Sequence, residues 1–469
     1  MVMAIQNPVT EKQQSGATAK AVPAGFKLTE VGVIPEDWEI KAIGQLNPFI
    51  TSGSRGWADF YVDYGDLFIR ITNMSRNSIY LDTKTCENKF VSLPVSSTEG
   101  KRTQLNNGDI LISITADIGI VGYIDESIAK PAYINQHISL VRFDDDSIDN
   151  KFVAYFLASE NVQKKLLANS DLGAKAGMNL NGVRSIIFAV PTKKEQSAIA
   201  KALTDIDALI VELKKNLTKK QSIKTATMQQ LLTGKTRLPQ FALREDGTVK
   251  RYKKSELGEI PEDWSISTYG QVFSFLSTST NARSDLSDTG EYGYIHYGDI
   301  HTKWNNTLNL ENNILPRISR DLITSSFVEN GDLIMADASE DYTGIGKSTE
   351  IKNVRNNKIV AGLHTYLLRD TNNIFADGFR GYLHSIRAVK TNIDRLATGM
   401  KVFGISKNNL KTIPIPVPPK EEQTAIAAIL SDMDKDIQTL QQCLDKTRQL
   451  KQGMMQELLT GKIRLIEKD

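Results

Sequence analysis

Two short segments carry the residues of a phosphate cradle, Gly346-Lys347-Ser348 and Gly234-Lys235-Thr236, but Asp341 and Gln229 stand where the glycine five places earlier is required. Without that glycine the consecutive backbone donors cannot curl around a phosphate, so neither segment is a P-loop. The five His residues are scattered, and no His, Cys and carboxylate group has metal-ligand spacing. Cys86 and Cys443 are the only cysteines; they exclude a disulfide framework and are read as packing residues. No Ser-His-Asp set, activated cysteine or Gly-rich cofactor fingerprint is present. What the chain offers instead is polar loops whose groups can hydrogen-bond to base edges: Arg for guanine, Asn or Gln for adenine, Ser or Thr for either. These are residues 52–57, residues 72–77, Lys101-Arg102 and the stretch from Gly173 through Lys175 to Asn179. Later in the chain come residues 279–283, residues 297–304, Tyr342 with Lys347, and residues 398–401. Each alone is an ordinary loop; recurrence at corresponding places in two halves is what groups them.

Those halves are evident from near-copies. Pro191 to Ala200 returns 227 residues later as Pro418 to Ala427, and Leu231-Leu232-Thr233-Gly234-Lys235 returns as Leu458-Leu459-Thr460-Gly461-Lys462. Ile34-Pro35-Glu36-Asp37-Trp38 returns as Ile260-Pro261-Glu262-Asp263-Trp264. Within the first half, strand-like runs at residues 67–71, 109–114 and 137–141 are broken by Gly, Asn and Asp, and a helix is expected over residues 151–169; the second half repeats this order. Gly331-Asp332 repeats Gly108-Asp109, and His364 with Leu367-Leu368-Arg369 repeats His137 with Leu140-Val141-Arg142. The matching places of the two His residues suggest a structural role in a common fold.

A long helix follows each globule. Ile199, Leu203, Ile206, Ile210, Leu213 and Leu217 step by four and three, as do Ile426, Leu430, Met433, Ile437, Leu440 and Leu444, which is a heptad seam. The stripe is narrow enough to suit burial against one partner helix, and two equal seams in one chain favour an intramolecular antiparallel pair. Thr192 with Glu195 forms a capping-box pattern, and Gly234 and Gly461 stand where left-handed caps are expected. Each helix then has about forty residues and spans roughly 60 Å. The seam weakens where Lys220, Lys224, Thr447 and Lys451 take its positions, so these C-terminal halves are expected to face a different partner. Lys214, Lys215, Lys219, Lys220 and Lys224 make the first helix basic, as a solvated face or as attraction toward DNA or an acidic partner.

With 469 residues, 40% hydrophobic and 24% charged, the chain has the composition of an ordinary globular protein, and no apolar run is long enough to cross a bilayer. A net charge of +2 is far from that of a dedicated nonspecific nucleic-acid binder. The start lacks a signal-peptide layout, which gives an expectation of a cytoplasmic protein. The expected division is a flexible tail at 1–25, a globule at 26–190, a helix at 191–237, a linker at 238–259, a second globule at 260–417 and a helix at 418–469. The fold class expected is α+β: two similar mixed α/β globules joined by two long antiparallel coiled-coil helices with pseudo-two-fold symmetry.

The helices and lead-ins agree almost residue for residue, whereas the globules share only framework runs. Like parts should do one job twice, and unlike parts different jobs. This layout resembles the specificity subunit of Type I restriction-modification systems. The resemblance spans nearly the whole chain after the tail, through the Pro-Glu-Asp-Trp lead-ins, the Gly-Asp pairs, Ile413 to Pro419 running into Glu422-Gln423, and the closing Leu-Leu-Thr-Gly-Lys segments. Ile186 to Pro191 lacks the Pro-rich spacing of the second copy.

The resemblance implies a non-catalytic subunit with two target-recognition domains, each reading one part of a bipartite, asymmetric double-stranded DNA sequence. It implies two modification (methyltransferase) subunits as partners, with two restriction subunits joining them. S-adenosylmethionine and ATP with Mg are expected on those partners, and no cofactor or metal on this chain. The family pattern carries DNA contacts onto Arg55, Asn73, Arg76, Lys101, Arg102, Lys175 and Asn179, and onto Asn281, Arg283, His301, Lys303, Tyr342, Lys347 and Lys401. A coiled-coil scaffold whose globules bind proteins is the alternative, and it predicts no sequence-dependent DNA affinity.

Overall fold

The heptad seams form two 39-residue helices, Lys193–Leu231 and Lys420–Leu458, in the computed structural model, which describes residues 22–53, 55–94, 96–168 and 177–465. The chain divides into two units, one built on the chain up to Leu213 and from Cys443 onward, the other on Lys214–Gln442. Each unit therefore owns one globule, the start of the helix that follows it and the end of the other helix. Residues 1–21 of the expected tail lie outside the described residues.

In the first unit, Glu39–Ala42 pairs antiparallel with Ile187–Val190, so the chain enters and leaves the globule side by side. Between them lies an antiparallel sheet ordered Phe49–Ser52, Ile138–Arg142, Ile110–Ser113, Val121–Tyr123. All four residues of Ile110–Ser113 are buried, which is why that run reads as nearly continuous apolar sequence. A second sheet is ordered Ala132–Ile134, Asp66–Ile69, Lys89–Val91, Tyr61–Val62, its first pair parallel. The helix expected over residues 151–169 is two helices, Asn150–Leu157 and Glu160–Ala168, because the chain turns at Ala158.

The second unit repeats the plan. Ser265–Thr268 pairs with Pro414–Val417 at its neck. Its main sheet is ordered Ser274–Leu276, Thr365–Arg369, Leu333–Ala336, Ser348–Lys352, Thr307–Asn309, and the smaller one Arg317–Ile318, Tyr292–Ile295, Ile359–Ala361. The expected linker at 238–259 is not a bare connection: it holds the helix Pro239–Ala242 and the hairpin Tyr252–Ser255 with Gly258–Pro261. The Gly-Asp motif is explained in both units. Gly108 and Gly331, at φ +90° and +81°, turn the chain into a strand, and the buried Asp109 and Asp332 each receive two bonds of 2.7–2.8 Å from Arg142 and Arg369.

The repeated motifs meet at a clasp. In the first unit Glu195 accepts from Trp38 Nε1 (3.2 Å) and from Arg464 Nε and Nη2 (2.6 and 2.8 Å), while Arg464 also grips Asp37. In the second, Glu422 accepts from Trp264 Nε1 (2.9 Å) and from Arg237 (2.6 and 2.7 Å), which also grips Asp263. Half of the expected capping box forms, Thr192 accepting from Glu195 N at 3.4 Å; the Glu195 carboxylate serves the clasp instead, because a buried carboxylate needs cationic compensation. Gln196 and Gln423 each donate to Pro191 O or Pro418 O and accept the N–H of Asp149 or Ala376. Gly461 (φ +69°) packs so closely that a Cβ would lie 2.4 Å from Pro35 Cγ.

The seam does not fail at its lysines. Lys451 pairs with Asp207 (2.7 Å), which also accepts from Tyr155 OH (2.8 Å), and Lys224 pairs with Asp434, which accepts from Tyr382 OH (2.8 Å). These triads recur at an offset of 227 residues, and in the second unit Lys220 pairs with Asp436 and Lys224 with Asp434, partner numbers falling along one helix as they rise along the other, so the pairing there is antiparallel. The expectation of a different partner for the C-terminal halves is corrected: each meets the N-terminal half of the other helix through a largely buried ion pair. Ile199, Leu203, Ile426 and Leu430 are also buried in the cores of their globules, so the N-terminal seams face more than one helix.

Candidate nucleic-acid interface

In the second unit the strand Tyr292–Ile295 runs into the helix Tyr297–Thr302, whose first turn is capped by His296 accepting from Gly298 N through Nδ1 (3.0 Å). That turn carries Asp299, 1% exposed, whose Oδ1 accepts both Arg283 Nη2 (2.7 Å) and Lys303 Nζ (3.0 Å). The two cations are 60% and 58% exposed, so the buried carboxylate is a socket for two outward-facing charges. Tyr297 packs edge-on against His301 and His364. His301 Nε2 bonds Ala338 O (3.0 Å), and its backbone carbonyl accepts from Lys347 Nζ (2.9 Å). Burial pushes the pKa of Lys347 down and that of Asp337 up; His364, its Nδ1 3.5 Å from Asp337, opposes the latter shift. Burial first, then the neighbouring Arg283, lowers His296. Ser339 pairs with Phe403, on which Tyr342 stacks at 4.0 Å, and Met400, Lys401 and Val402 beside it are exposed. The loops at residues 283, 297–304, 337–347, 364 and 400–403 thus form one connected surface. Asn281 is tied to its own loop, its Oδ1 accepting from Ser279 Oγ and its carbonyl from Tyr294 OH.

The first unit uses its corresponding residues differently. Asn73 is 1% exposed and bonded on every side: Nδ2 to Asp82 O, Cys86 Sγ and Asn88 Oδ1, and Oδ1 from Arg70 N. It is corrected from base reader to loop organiser, since reaching a base would strand buried polar groups. Arg76 is held by Asp117, Gln163 and Ile118 O. Arg102 bonds Thr51 and Ser52 O, beside the loop that exposes Arg55; Lys101 is exposed on the same short helix, Thr98–Thr103. Asn179 is exposed and caps Leu180–Arg184 through Gly182 N (2.8 Å). Lys175 lies outside the described residues. His137 bonds Thr115 and Gln136, in keeping with a structural place. Cys443 is exposed, contrary to the packing role expected of it, and Cys86 is half-buried with its thiol pushed up by burial.

Tyr297 and Asp299 lie in the loop 297–304 that composition singles out without marking them as site residues, His364 reads from its matching place as structural, and Asp337 carries no mark of its own in the sequence. The signal was present in the repeat: Asp299 follows its strand as Asn73 follows Asp66–Ile69, and a carboxylate in place of an amide asks for cations. Among the described residues, no group of three His, Cys, Asp or Glu could hold a metal, and no helix is long and apolar enough to cross a membrane.

Two like frames carrying unlike, base-compatible loops define a protein with two candidate nucleic-acid-facing domains. The chain belongs to the family of the Type I restriction modification DNA specificity domain, whose model matches it twice, over residues 35–225 and 261–447. It is 26% identical over 453 residues to a Methanocaldococcus jannaschii protein named as a candidate type I restriction enzyme MjaX specificity subunit, covering 94% of this chain and 97% of that one. It is 24% identical to the MjaVIII specificity subunit of the same organism, covering 92% and 94%. The fold is shared with the crystal structure of a type I restriction-modification S subunit from M. genitalium, at TM-score 0.53 and 14% identity, covering 90% of this chain and 96% of that one.

Proposed function

We propose that this chain is the non-catalytic specificity subunit of a Type I restriction-modification complex, each globule reading one half of a bipartite, asymmetric DNA target. The paired helices scaffold two modification subunits, and two restriction subunits join them. S-adenosylmethionine and ATP with Mg act on those partners, and the complex works in the cytoplasm. The observation that carries this reading is the contrast within the repeat. The clasps and Tyr-Asp-Lys triads recur residue for residue at offsets of 226 and 227, whereas Asn73 and Asp299 occupy one framework place with opposite uses. A frame kept twice with surfaces changed is what two recognition jobs on one scaffold require.

Of the fourteen residues carried over from the family pattern, Arg55, Lys101, Arg283, Lys303, Tyr342 and Lys401 are exposed and suited to direct contact. Arg76, Arg102, Asn179, Asn281, His301 and Lys347 shape the loops that present them, and Lys175 remains assigned to DNA by the family pattern. The test is to assemble the chain with its modification subunit and map adenine methylation across a random-sequence DNA library. Methylation confined to one motif of two separated, unlike halves is expected. Assembly without any sequence preference would favour the protein-binding scaffold.

A further inference from the structure

Asp299 presents a charge imbalance at the surface of the second unit. One buried carboxylate oxygen holds two cations, Arg283 and Lys303, each more than half exposed, and the two positive charges against one negative leave an excess of +1. Asp299 Oδ2 is buried without a hydrogen-bond partner, so the carboxylate is committed to the cations through Oδ1 alone. The next carboxylate on the Arg283 turn, Asp285, is directed to its own loop, accepting Ala282 N at 2.9 Å. His296 is held toward its neutral form by burial and by Arg283. In the first unit the same framework place holds Asn73, whose amide is used entirely within its loop and orders no exposed cation. A residue needed only to hold the turn would be served by that amide.

We infer that Asp299 is a positioning residue that sets Arg283 and Lys303 as a two-pronged grip on a DNA backbone phosphate. This rests on the DNA-reading function proposed above and assigns this pair to register on the duplex rather than to base identity. Two cations anchored on one oxygen converge on one outward region. There they supply charge-assisted donors to an anionic oxygen without the entropy of fixing two long side chains at the moment of binding.

Simple electrostatics and prior positioning predict opposite signs for one substitution. Asp299→Asn removes a negative charge facing DNA, so by charge alone it tightens binding; if the carboxylate positions the cations, binding weakens. The experiment uses the full chain assembled with its modification subunit, fluorescence anisotropy on cognate and scrambled duplexes over a salt series, and a thermal melt of each variant. Arg283→Ala and Lys303→Ala, each of which leaves the other cation on Asp299, are expected to weaken both duplexes by a similar factor of about ten, with the thermal melts reading any loss of folding. Because the two cations share one phosphate, the double variant should lower the slope of log affinity against log salt by about 0.9. Asp299→Asn should weaken both duplexes too, yet add nothing in the Arg283→Ala/Lys303→Ala background. Tighter or unchanged binding by Asp299→Asn overturns the inference, as does an equal loss in the double-variant background, which marks a structural role. A loss confined to one base position overturns the phosphate assignment in favour of base readout. If the wild-type complex prefers no sequence, the proposed function fails while the grip is still measured on scrambled duplex.

Discussion

At the scale of single residues, stability is concentrated where motifs far apart in sequence converge. Glu422 is buried and its charge is balanced by Arg237, which is itself buried and divides its guanidinium between Glu422 and Asp263. Removing one partner of such a pair leaves an uncompensated charge in the interior, so Arg237→Ala should destabilise the protein by about 3–5 kcal/mol in a denaturant titration. Arg237→Lys should recover only part of that, because one ammonium cannot reproduce the fork on two carboxylates. The clasp also has a pH signature. Burial raises the Asp263 carboxyl, but hydrogen bonds from Arg237 and Lys250 outweigh it and hold the group below the ordinary Asp range. A carboxyl lowered by folding contributes fully above its unfolded value and loses that contribution as pH falls through the folded one. Asp263→Asn should therefore be less stable than wild type at neutral pH, with the gap closing in acid below about pH 4. A gap constant from pH 7 down to pH 3 would rule out ionisation as the source of the difference.

The elements were legible in the sequence where local spacing encodes them. The two helices, their left-handed glycine caps, the strand after Gly-Asp and the repeat itself all follow from period or neighbour, which act over a few residues. Partners hundreds of residues apart were not legible in this way. Lys224 and Lys451 look like defects in a seam until Asp434 and Asp207 are seen opposite them, and Glu195 looks like a cap until Arg464 arrives from the far end of the chain. The interface loops were found by composition, but Asn73 was misassigned because the sequence does not say which of its neighbours lie within hydrogen-bond reach. The helix triads give a comparative prediction. Asp207 and Lys451 are 9% and 10% exposed, whereas Asp434 is 32% and Lys224 12% exposed. Screening by water weakens the second pair and softens its loss. Asp207→Ala should thus lower the melting temperature more than Asp434→Ala, although both delete the same contact of the repeat. Replacing Asp207 and Lys451 together by Leu and Met should restore much of the loss, since no buried charge then remains unpaired. Equal effects of the two single substitutions would mean that exposure does not govern the strength of these pairs.

For the whole molecule, the strand pairs at the necks decide which part can be exchanged. Glu39–Ala42 and Ile187–Val190 lie side by side, and the clasp residues Asp37, Trp38 and Glu195 fall just outside them, on the frame. Residues 39–190 from a relative can therefore replace those of this chain without touching the clasp. Among the bonds that cross that boundary, Asp149 N donates to Gln196 Oε1, Ser197 Oγ donates to Asp149, and Tyr155 OH donates to Asp207. A donor globule that keeps a hydroxyl at position 155 preserves the partner of a buried carboxylate; one that places Phe there leaves Asp207 with Lys451 alone and should melt lower, by an amount typical of a lost hydrogen bond to a charged group, about 1.5–3 kcal/mol. With a hydroxyl-bearing donor, the assembled complex should methylate a motif in which one half has changed and the other has not. Methylation mapping reads this directly. A change in both halves would mean that the globules do not read independently, and an unchanged motif would place recognition outside residues 39–190; either result would break the link between an unlike globule and its own half-site.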